Sequence, residues 1–282
     1  MIQLLWGDRM DFLKESESNG LYIRHAVDEA PTGSGFDFHI HDRCEVFYFI
    51  SGNARYLVEG SAYPLTKGSL LIMRPGEAHC IRFLGAERYE RYAVNFPLSL
   101  FDSFDPERRL MRPFTDRPLG QNNLYFLPGL EDIFRDMCYY EGDDYGRTLM
   151  MTTRLTHIIE MAGQQNRRET LAEPTLPEQI VRYVNDLLYE EISVGRLAEH
   201  FFLSTSQFSR IFRHATGASP WAYITAKRLI RARELLYSGV SAKKAAESCG
   251  FGDYSVFYKA YVKRYGESPD ACINKARSVF QA

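Results

Sequence analysis

Hydrophobic positions follow two different periods along the chain. From Phe36 to Phe96, short runs rich in Val, Ile, Phe and Tyr alternate with turns that contain glycine, as at Gly52 and Gly60. Short strands at this spacing are typical of an antiparallel barrel or sandwich. We therefore predict an antiparallel β-barrel in the front part of an α+β chain with more than one domain.

Two amphipathic stretches follow the predicted barrel. Their apolar residues recur at spacings of one, three and four, which places them on one face of a helix. They are Leu130, Ile133, Phe134, Met137 and Cys138 in the first stretch, and Met151, Leu155, Ile158, Ile159 and Ala162 in the second. We expect these two helices to pack against the barrel.

A segment without apolar periodicity separates these helices from the rest of the chain. It extends from Gln164 to Pro177 and contains two prolines, a composition that is typical of a linker. We predict a first domain at residues 1–165, a linker at 166–177 and a second domain at 178–282. A chain of 282 residues is long enough for two domains with separate cores.

The second predicted domain contains one sequence unit twice. Ala198-Glu199 recurs as Ala246-Glu247, 48 positions on, and later pairs recur 49 positions on because one residue is inserted in a turn. The later pairs are Phe208 and Phe257, Phe212 and Tyr261, Gly217 and Gly266, and Pro220 and Pro269. Two copies are too few for a solenoid, so each copy is predicted to be a small folding unit with the same task.

The pattern of each copy predicts a helix-turn-helix. In the first copy, Ser193 and Ser204 are expected N-caps of two consecutive helices, and Gly217 ends the second helix. That second helix has an apolar stripe on one side and hydrogen-bonding side chains on the other, as this motif requires. A helix from about Pro220 to Leu236 joins the copies, which would place their second helices about one DNA turn, roughly 34 Å, apart.

Charge is divided between the domains. Residues 174–282 hold 15 Lys and Arg against 10 Asp and Glu, a net charge of +5, whereas residues 1–173 hold 19 against 26, a net charge of −7. The joining helix is basic at Lys227, Arg228, Arg231 and Arg233. A solvated polar helix face would explain one copy of the motif, but two joined copies in a basic domain favour DNA binding.

The stretches LAEHFFLSTSQFSRIFRHATGASPWAYI and AAESCGFGDYSVFYKAYVKRYGESP resemble the DNA-binding domain of the AraC/XylS family of bacterial transcription regulators. The resemblance covers residues 176–273 and implies binding to promoter DNA, contact with RNA polymerase, and a homodimer formed through residues 149–164. It assigns base contacts to Ser206, Gln207, Ser209 and Arg210 in the first unit, and to Tyr254, Ser255, Tyr258 and Lys259 in the second. Activation and repression both remain open.

The two units differ in their turns. The turn position that Gly250 fills in the second unit is occupied by Phe202 in the first. A bulky residue at positive φ is unusual, so the first turn departs from the family pattern.

Polar residues with metal-binding and hydrogen-bonding side chains interrupt the predicted barrel. His39 and His41 are two positions apart, Glu45 follows them, and His79 lies on a later strand. Side chains alternate along a strand, so His39 and His41 are expected on the same face. We predict that these four side chains converge inside the barrel.

This set resembles the two short motifs of the cupin superfamily, and members of the AraC family commonly carry a cupin-like barrel. Three interpretations are open: a pocket for a small effector such as a sugar, a divalent-metal site, or structural histidines. The effector pocket is favoured, with no metal or other cofactor. Its candidate residues are Arg24, His39, His41, Glu45 and His79, followed by Tyr48, Tyr56 and Arg74.

Other features limit the function further. Five scattered cysteines without a CxxC pair indicate reduced thiols in the cytoplasm. No apolar run approaches the roughly 18 residues that span a membrane, and no phosphate-binding loop or GxSxG element is found. We predict a cytoplasmic, effector-responsive regulator that is not an enzyme and does not bind membranes. The alternatives are a metal-dependent cupin enzyme with a DNA-binding tail and a regulator controlled by a protein partner.

Overall fold

The computed structural model describes residues 11–31, 38–165 and 173–280. The chain divides into two compact units between Glu173 and Pro174. Residues 166–172 of the predicted linker lie outside the described residues, as does Phe36, at which the predicted strands begin. A helix already starts at Leu176, within the predicted linker.

The front unit contains two antiparallel sheets, which confirms the predicted antiparallel β domain. Its strands are β1 (Asp11–Ser18), β2 (Leu21–Asp28), β3 (Cys44–Ser51), β4 (Ala54–Val58), β5 (Ser61–Pro64), β6 (Ser69–Met73), β7 (His79–Phe83), β8 (Tyr89–Phe96) and β9 (Leu124–Phe126). The larger sheet has the strand order β1-β2-β8-β3-β6-β9, and the smaller sheet has the order β5-β4-β7.

The edge strand β1 is largely exposed, but from β2 across to β6 the larger sheet is buried on both faces. Its inner face packs against the smaller sheet, through side chains that include Phe47, Phe49, Leu71 and Met73 on one side and Tyr56, Val58 and Ile81 on the other. Its outer face packs against helices, through side chains that include Ile23, Val46, Tyr48, Ile72 and Val94. Because successive side chains point to opposite faces, double burial gives nearly continuous apolar runs, which is the pattern found in the sequence.

Three helices cover the outer face of the larger sheet. A 3₁₀ turn (Arg109–Met111) leads into α1 (Arg112–Thr115), and α2 (Glu131–Cys138) and α3 (Asp144–Gln164) follow. The ring of Phe134 on α2 stacks on Tyr48 and Tyr92 of the sheet, with centroids 4.8 and 5.5 Å apart. The predicted apolar face of α3, which includes Leu155 and Ile158, is buried in the same core. A contact between two copies through α3 would therefore use its opposite face.

A buried ion pair attaches the segment after α1 to the sheets. Both terminal nitrogens of Arg117 donate to the carboxylate of Glu77, each at 2.6 Å, and Asn123 donates to the same carboxylate at 3.1 Å. Burial raises the pKa of Glu77, but the hydrogen bonds and charge of Arg117 outweigh burial and lower the pKa. Because each charge is compensated, this polar group is stable in the interior.

The back unit consists of seven helices among its described residues. They are α4 (Leu176–Asp186), α5 (Val194–His200), α6 (Thr205–Thr216), α7 (Pro220–Tyr237), α8 (Ala242–Ser248), α9 (Tyr254–Tyr265) and α10 (Pro269–Phe280). Ser193 and Ser204 cap α5 and α6 as predicted, and Gly217 ends α6 in the left-handed conformation with φ 84°. The pairs α5–α6 and α8–α9 are the two helix-turn-helix units, and α7 is the predicted joining helix.

One side chain of the joining helix contacts both halves of the back unit. The guanidinium of Arg228 donates to the carbonyl oxygens of Leu188 at 2.7 Å and Glu190 at 2.6 Å, in the loop before α5, and also to the carbonyl oxygen of Gly250 at 2.5 Å. Gly250 lies in the turn between α8 and α9. Arg228 and its neighbour Lys227 are both buried. Two of the four basic residues noted on α7 therefore stabilise the fold and do not add to the positive charge of the exposed surface.

All five cysteines lie within the described residues, and each is a buried, free thiol, as the absence of a paired pattern predicted. In the part of the chain that the structure describes, no helix combines the length and the apolar character that a membrane crossing needs.

Candidate functional site

The outer face of α6 is polar. Ser206, Ser209 and Arg210 recur at spacings of three and four, so they lie along one side of the helix. Ser206 and Arg210 are exposed and Ser209 is half-buried. The opposite side is held in the core by Phe208 and Phe212, both fully buried. The packing of these two rings therefore fixes which side chains α6 presents outward.

Gln207 has a role that sequence reasoning missed, although its place three residues after the N-cap Ser204 is a signal for it. Its Oε1 accepts from the backbone N–H of Ser204 at 3.1 Å and from its hydroxyl at 2.9 Å, while the Ser204 hydroxyl accepts from the backbone N–H of Gln207 at 3.3 Å. This reciprocal arrangement is a capping box, which satisfies free donors at the start of a helix. The carbonyl end of Gln207 therefore stabilises α6.

The outer face of α9 is also polar, with an aromatic component. Its exposed residues at spacings of three and four are Tyr254, Ser255, Tyr258 and Lys259. Asp253 caps the helix by accepting from the backbone N–H groups of Ser255 at 2.6 Å and Val256 at 3.1 Å. These backbone hydrogen bonds lower the pKa of Asp253.

The two outer faces carry the chemistry that duplex DNA requires. Arginine and lysine bind phosphates and can pair with guanine, and serine and tyrosine hydroxyls can donate to base edges or to phosphates. Each face begins at the capped N-terminus of its helix, the end from which helix-turn-helix proteins contact bases. The structure thus brings seven of the eight predicted DNA-contact residues onto two exposed helix faces, and the eighth, Gln207, into the cap of α6.

Three of the predicted effector residues meet between the two sheets. His41 Nε2 lies 3.0 Å and His79 Nε2 lies 3.5 Å from Oε2 of Glu45, and all three side chains are buried. The other ring nitrogens are held by backbone carbonyls: His41 Nδ1 lies 3.0 Å from the oxygen of Arg43, and His79 Nδ1 lies 2.8 Å from that of Glu77. Because Nδ1 must donate to a carbonyl oxygen, Nε2 of each neutral ring is an acceptor that faces an acceptor.

This arrangement requires a proton or a cation between the facing atoms. Burial lowers the pKa of His79, but hydrogen bonding to Glu45 and its charge outweigh burial and raise it. Burial likewise raises the pKa of Glu45, yet hydrogen bonds from His41 and His79 hold it well below its usual range. A proton on the imidazole or a divalent cation satisfies the same geometry, since the three ligand atoms lie within 4.8 Å of one another. The donor set therefore fits a metal as well as an ion pair.

The other candidates are placed differently. His39 lies beside this cluster, with its ring centroid 4.4 Å from that of His79, and Tyr56 lies 5.9 Å from the same ring. The prediction that His39 and His41 share a strand is wrong. His39 makes one isolated bridge to His79, and the chain then turns, so that His41 reaches the carbonyl of Arg43.

Arg24 lies on the inner face of the larger sheet, where its Nε donates to the hydroxyl of Tyr22 at 2.9 Å.

Two weaker candidates lie outside the space between the sheets. Tyr48 is on the outer face, and its hydroxyl accepts from the backbone N–H of Leu130. Arg74 donates to the carbonyl oxygens of Thr115, at the end of α1, and Arg117, just after it. These two residues are therefore removed from the candidate effector site.

A further polar residue lies next to Glu45 on the inner face. Asn95 on β8 pairs with Glu45 on β3 and with Tyr22 on β2, so the three side chains form one row. Asn95 and Glu45 are fully buried. Among the described residues, Oε1 of Glu45 and both amide atoms of Asn95 have no hydrogen-bond partner. Such atoms cost free energy when buried, so this row is suited to receive the polar groups of a small molecule.

Sequence reasoning missed Asn95, although a signal was present. Within the apolar strand β8, Arg91 and Asn95 are polar and four positions apart, which places them on one face. Polar side chains on a doubly buried strand must face a polar interior, so this spacing could have marked them.

Models of known protein families match each of the two units, and known relatives match most of the chain. A model of the AraC-like ligand-binding domain matches residues 26–159, and a model of a helix-turn-helix domain matches residues 197–275. The HTH-type transcriptional activator RhaS of Escherichia coli is 23% identical over 276 residues, which cover 88% of this chain and 95% of the relative. RhaS of Salmonella arizonae is 24% identical over 292 residues, with the same coverage of both chains.

Solved structures resemble the chain at lower scores. A crystal structure of ToxT from Vibrio cholerae is 13% identical, covers 91% of this chain and 98% of its own, and gives a TM-score of 0.38. The DNA-binding domain of AdpA, a global transcriptional factor solved with a target DNA, is 28% identical. It covers 36% of this chain and 91% of its own, with a TM-score of 0.34.

The unsatisfied amide of Asn95 has a measurable cost. Asn95→Leu is expected to raise the free energy of unfolding by about 1–3 kcal/mol, because it removes buried polar atoms without partners. Asn123→Leu is the matched control: Asn123 is equally buried but donates to the carbonyl of Ile72 at 2.8 Å and to Glu77. That variant is expected to be less stable by about 1–3 kcal/mol. Calorimetry of the full chain would test both, and equal losses of stability would show that the amide of Asn95 is satisfied.

Proposed function

The chain belongs to the AraC family of transcriptional regulators, and we propose that it activates transcription in response to a small polyhydroxylated effector, such as a sugar, bound between the two sheets of its front unit. The AraC-like ligand-binding domain and the helix-turn-helix domain account for the two tasks. The relatives named above are transcriptional activators, and this supports activation as the outcome.

The effector class follows from the row of Glu45 and Asn95. Oε1 of Glu45 can only accept when ionised, whereas the amide of Asn95 both donates and accepts. A hydroxyl group does both as well, so neighbouring hydroxyls of a polyol match this row. An anionic group placed there would face the carboxylate of Glu45 at short range, which is unfavourable in a buried site. This row is the observation that carries the proposal of a neutral, hydroxyl-rich effector.

The cluster of His41, Glu45 and His79 supports a second candidate for the same site, a divalent metal. Both imidazoles would bind through Nε2, with Nδ1 anchored on a carbonyl, which is the usual way in which outer contacts orient metal-binding histidines. A metal held there would coordinate oxygen atoms of a ligand. It would thus assist effector binding, or supply the chemistry of a cupin enzyme.

We expect DNA binding through α6 and α9, with Ser206, Ser209 and Arg210 on the first helix and the exposed face of α9 on the second. The joining helix α7 separates these faces, which suits two successive segments of the major groove. The planar guanidinium of arginine fits the two acceptors of guanine as a rigid fork, whereas the ammonium of lysine is a point charge on a flexible stem. Arg210 is therefore the principal candidate for a base-specific contact, and Lys259 is assigned to phosphate or to a single acceptor.

The homodimer is proposed to use the exposed face of α3. The apolar face of α3 is buried within the unit, but Leu149 and Phe104 are 56% and 55% exposed and line a surface groove with Thr152, Thr156 and His157. Large exposed apolar side chains in a shared groove favour a contact with another protein surface.

A thermal-shift screen would identify the effector class. The panel is neutral mono- and disaccharides, uronic acids and divalent metals, each with and without chelator. A neutral sugar at a hundred times its dissociation constant is expected to add about 2.7 kcal/mol of stability, irrespective of chelator, and Asn95→Leu is expected to abolish this gain. Stabilisation by metal alone would favour the second candidate. No response to the whole panel would contradict both and would favour control by a protein partner.

Arg210→Ala is expected to weaken binding to a DNA site selected by the wild-type chain by about 1–3 kcal/mol and to relax the preference at one base pair. The reason is the loss of a paired contact to a base edge. Arg213→Ala, in the last turn of the same helix, is the matched control and should leave base preference unchanged. Uniform weakening by Arg210→Ala on all sequences, with a shallower dependence on salt, would assign Arg210 to phosphate.

Leu149→Arg is expected to convert a dimer into a monomer, because it places a charge in the proposed contact. Leu84→Arg is the control, since Leu84 is also 56% exposed but lies in the turn after β7. Analytical ultracentrifugation of the full chain measures both. A dimer that persists in the first variant, or is lost equally in the second, would contradict a contact through α3.

A further inference from the structure

The turn of the first helix-turn-helix carries an apolar side chain that does not stabilise its own unit. Phe202 is 98% exposed, and its backbone has φ 56°, in the left-handed region. An exposed ring gains no burial, and a residue with a Cβ is strained in this conformation. Phe202 thus adds no stability through burial and costs the folded unit backbone strain.

The second helix-turn-helix shows that the turn itself requires a positive φ, whichever residue occupies the position. Gly250 occupies the equivalent place with φ 76°. Both residues donate their backbone N–H to a carbonyl three positions back, Phe202 to Glu199 and Gly250 to Glu247, each at 3.0 Å. Glycine would therefore be the better residue for the fold in the first turn too.

Close packing explains why the second turn has glycine at Gly250, but it does not explain why the first turn has phenylalanine at Phe202. A Cβ on Gly250 would lie 2.7 Å from the carbonyl oxygen of Tyr189 and 2.9 Å from the guanidinium of Arg228, so no side chain fits there. The first turn is open to solvent at Phe202, which permits a side chain without requiring one. Strained residues that contribute nothing to packing are found mainly at functional positions.

The position of Phe202 indicates its partner. It precedes the N-cap Ser204 by two residues, so it lies at the end of α6 from which helix-turn-helix proteins contact bases. Phenylalanine recognises DNA by apolar contact with the C5-methyl group of thymine. We infer that Phe202 contacts DNA directly, with its ring against a thymine methyl at the edge of the segment bound by α6. This inference rests on the proposed binding of DNA through α6.

The test combines protein and DNA variants. On a site selected by the wild-type chain, thymines are replaced one at a time by deoxyuridine, which removes only the methyl group. One replacement is expected to weaken wild-type binding about tenfold and to have no effect on Phe202→Gly, which itself binds the unmodified site about tenfold more weakly. Phe202→Tyr, which keeps the ring, should behave like the wild type. Phe202→Gly should also melt at a higher temperature, so weaker binding could not be ascribed to misfolding.

Arg210→Ala distinguishes a failure of this inference from a failure of the proposed function. If Arg210→Ala loses affinity while Phe202→Gly binds all the substituted sites like the wild type, promoter binding through α6 stands and the role of Phe202 is overturned. That role is also overturned if Phe202→Gly keeps DNA affinity but loses activation, because the ring would then contact a protein such as RNA polymerase. If neither variant nor the wild type prefers any DNA sequence, the proposed function itself fails.

Discussion

A polar side chain on a buried face of a sheet costs free energy unless another polar group reaches it, and this cost organises the front unit. The outer face meets the constraint by being apolar against α2 and α3. The inner face is apolar around Phe47 and Phe49, and it carries the polar row of Tyr22, Asn95 and Glu45, with Arg24 and Arg91 on the same face. The position of the candidate effector site is thus a consequence of how the sheet is packed.

Two buried carboxylates of this unit differ in how far their charge and hydrogen-bonding capacity are compensated. Glu77 has its charge matched by Arg117 and receives further hydrogen bonds from Asn123 and the backbone of Gly120 at 2.9 Å. Glu45 has one oxygen near two imidazoles, and its other oxygen has no partner among the described residues. The fully compensated carboxylate holds a loop in place, whereas the partly compensated one is the group that we propose binds the effector.

Most of the architecture could be predicted from the sequence because it depends on local and periodic signals. The caps at Ser193 and Ser204 and the stripe of Phe208 and Phe212 are short-range features, and the structure confirms them. The failures have different causes. The loop at His41 is held by a hydrogen bond to Arg43, only two residues away, which no periodic pattern reveals. Tyr48 stands three positions from Glu45 and so faces the helices, a local alternation that was overlooked. Only the role of Asn95 depends on a distant residue, its partner Glu45 on the neighbouring strand.

The three carbonyl contacts of Arg228 also limit what the back unit can bind. They join the loop before α5 to the turn before α9, so the buried guanidinium acts with α7 to hold the two outer faces in place. Adding one base pair between the two segments that we propose α6 and α9 contact would rotate one of them by roughly 35° about the duplex axis, and a rigid unit cannot follow. The DNA must then twist or bend. Operators with unsuitable spacing would therefore be rejected through the stiffness of the double helix, without any wrong base being touched.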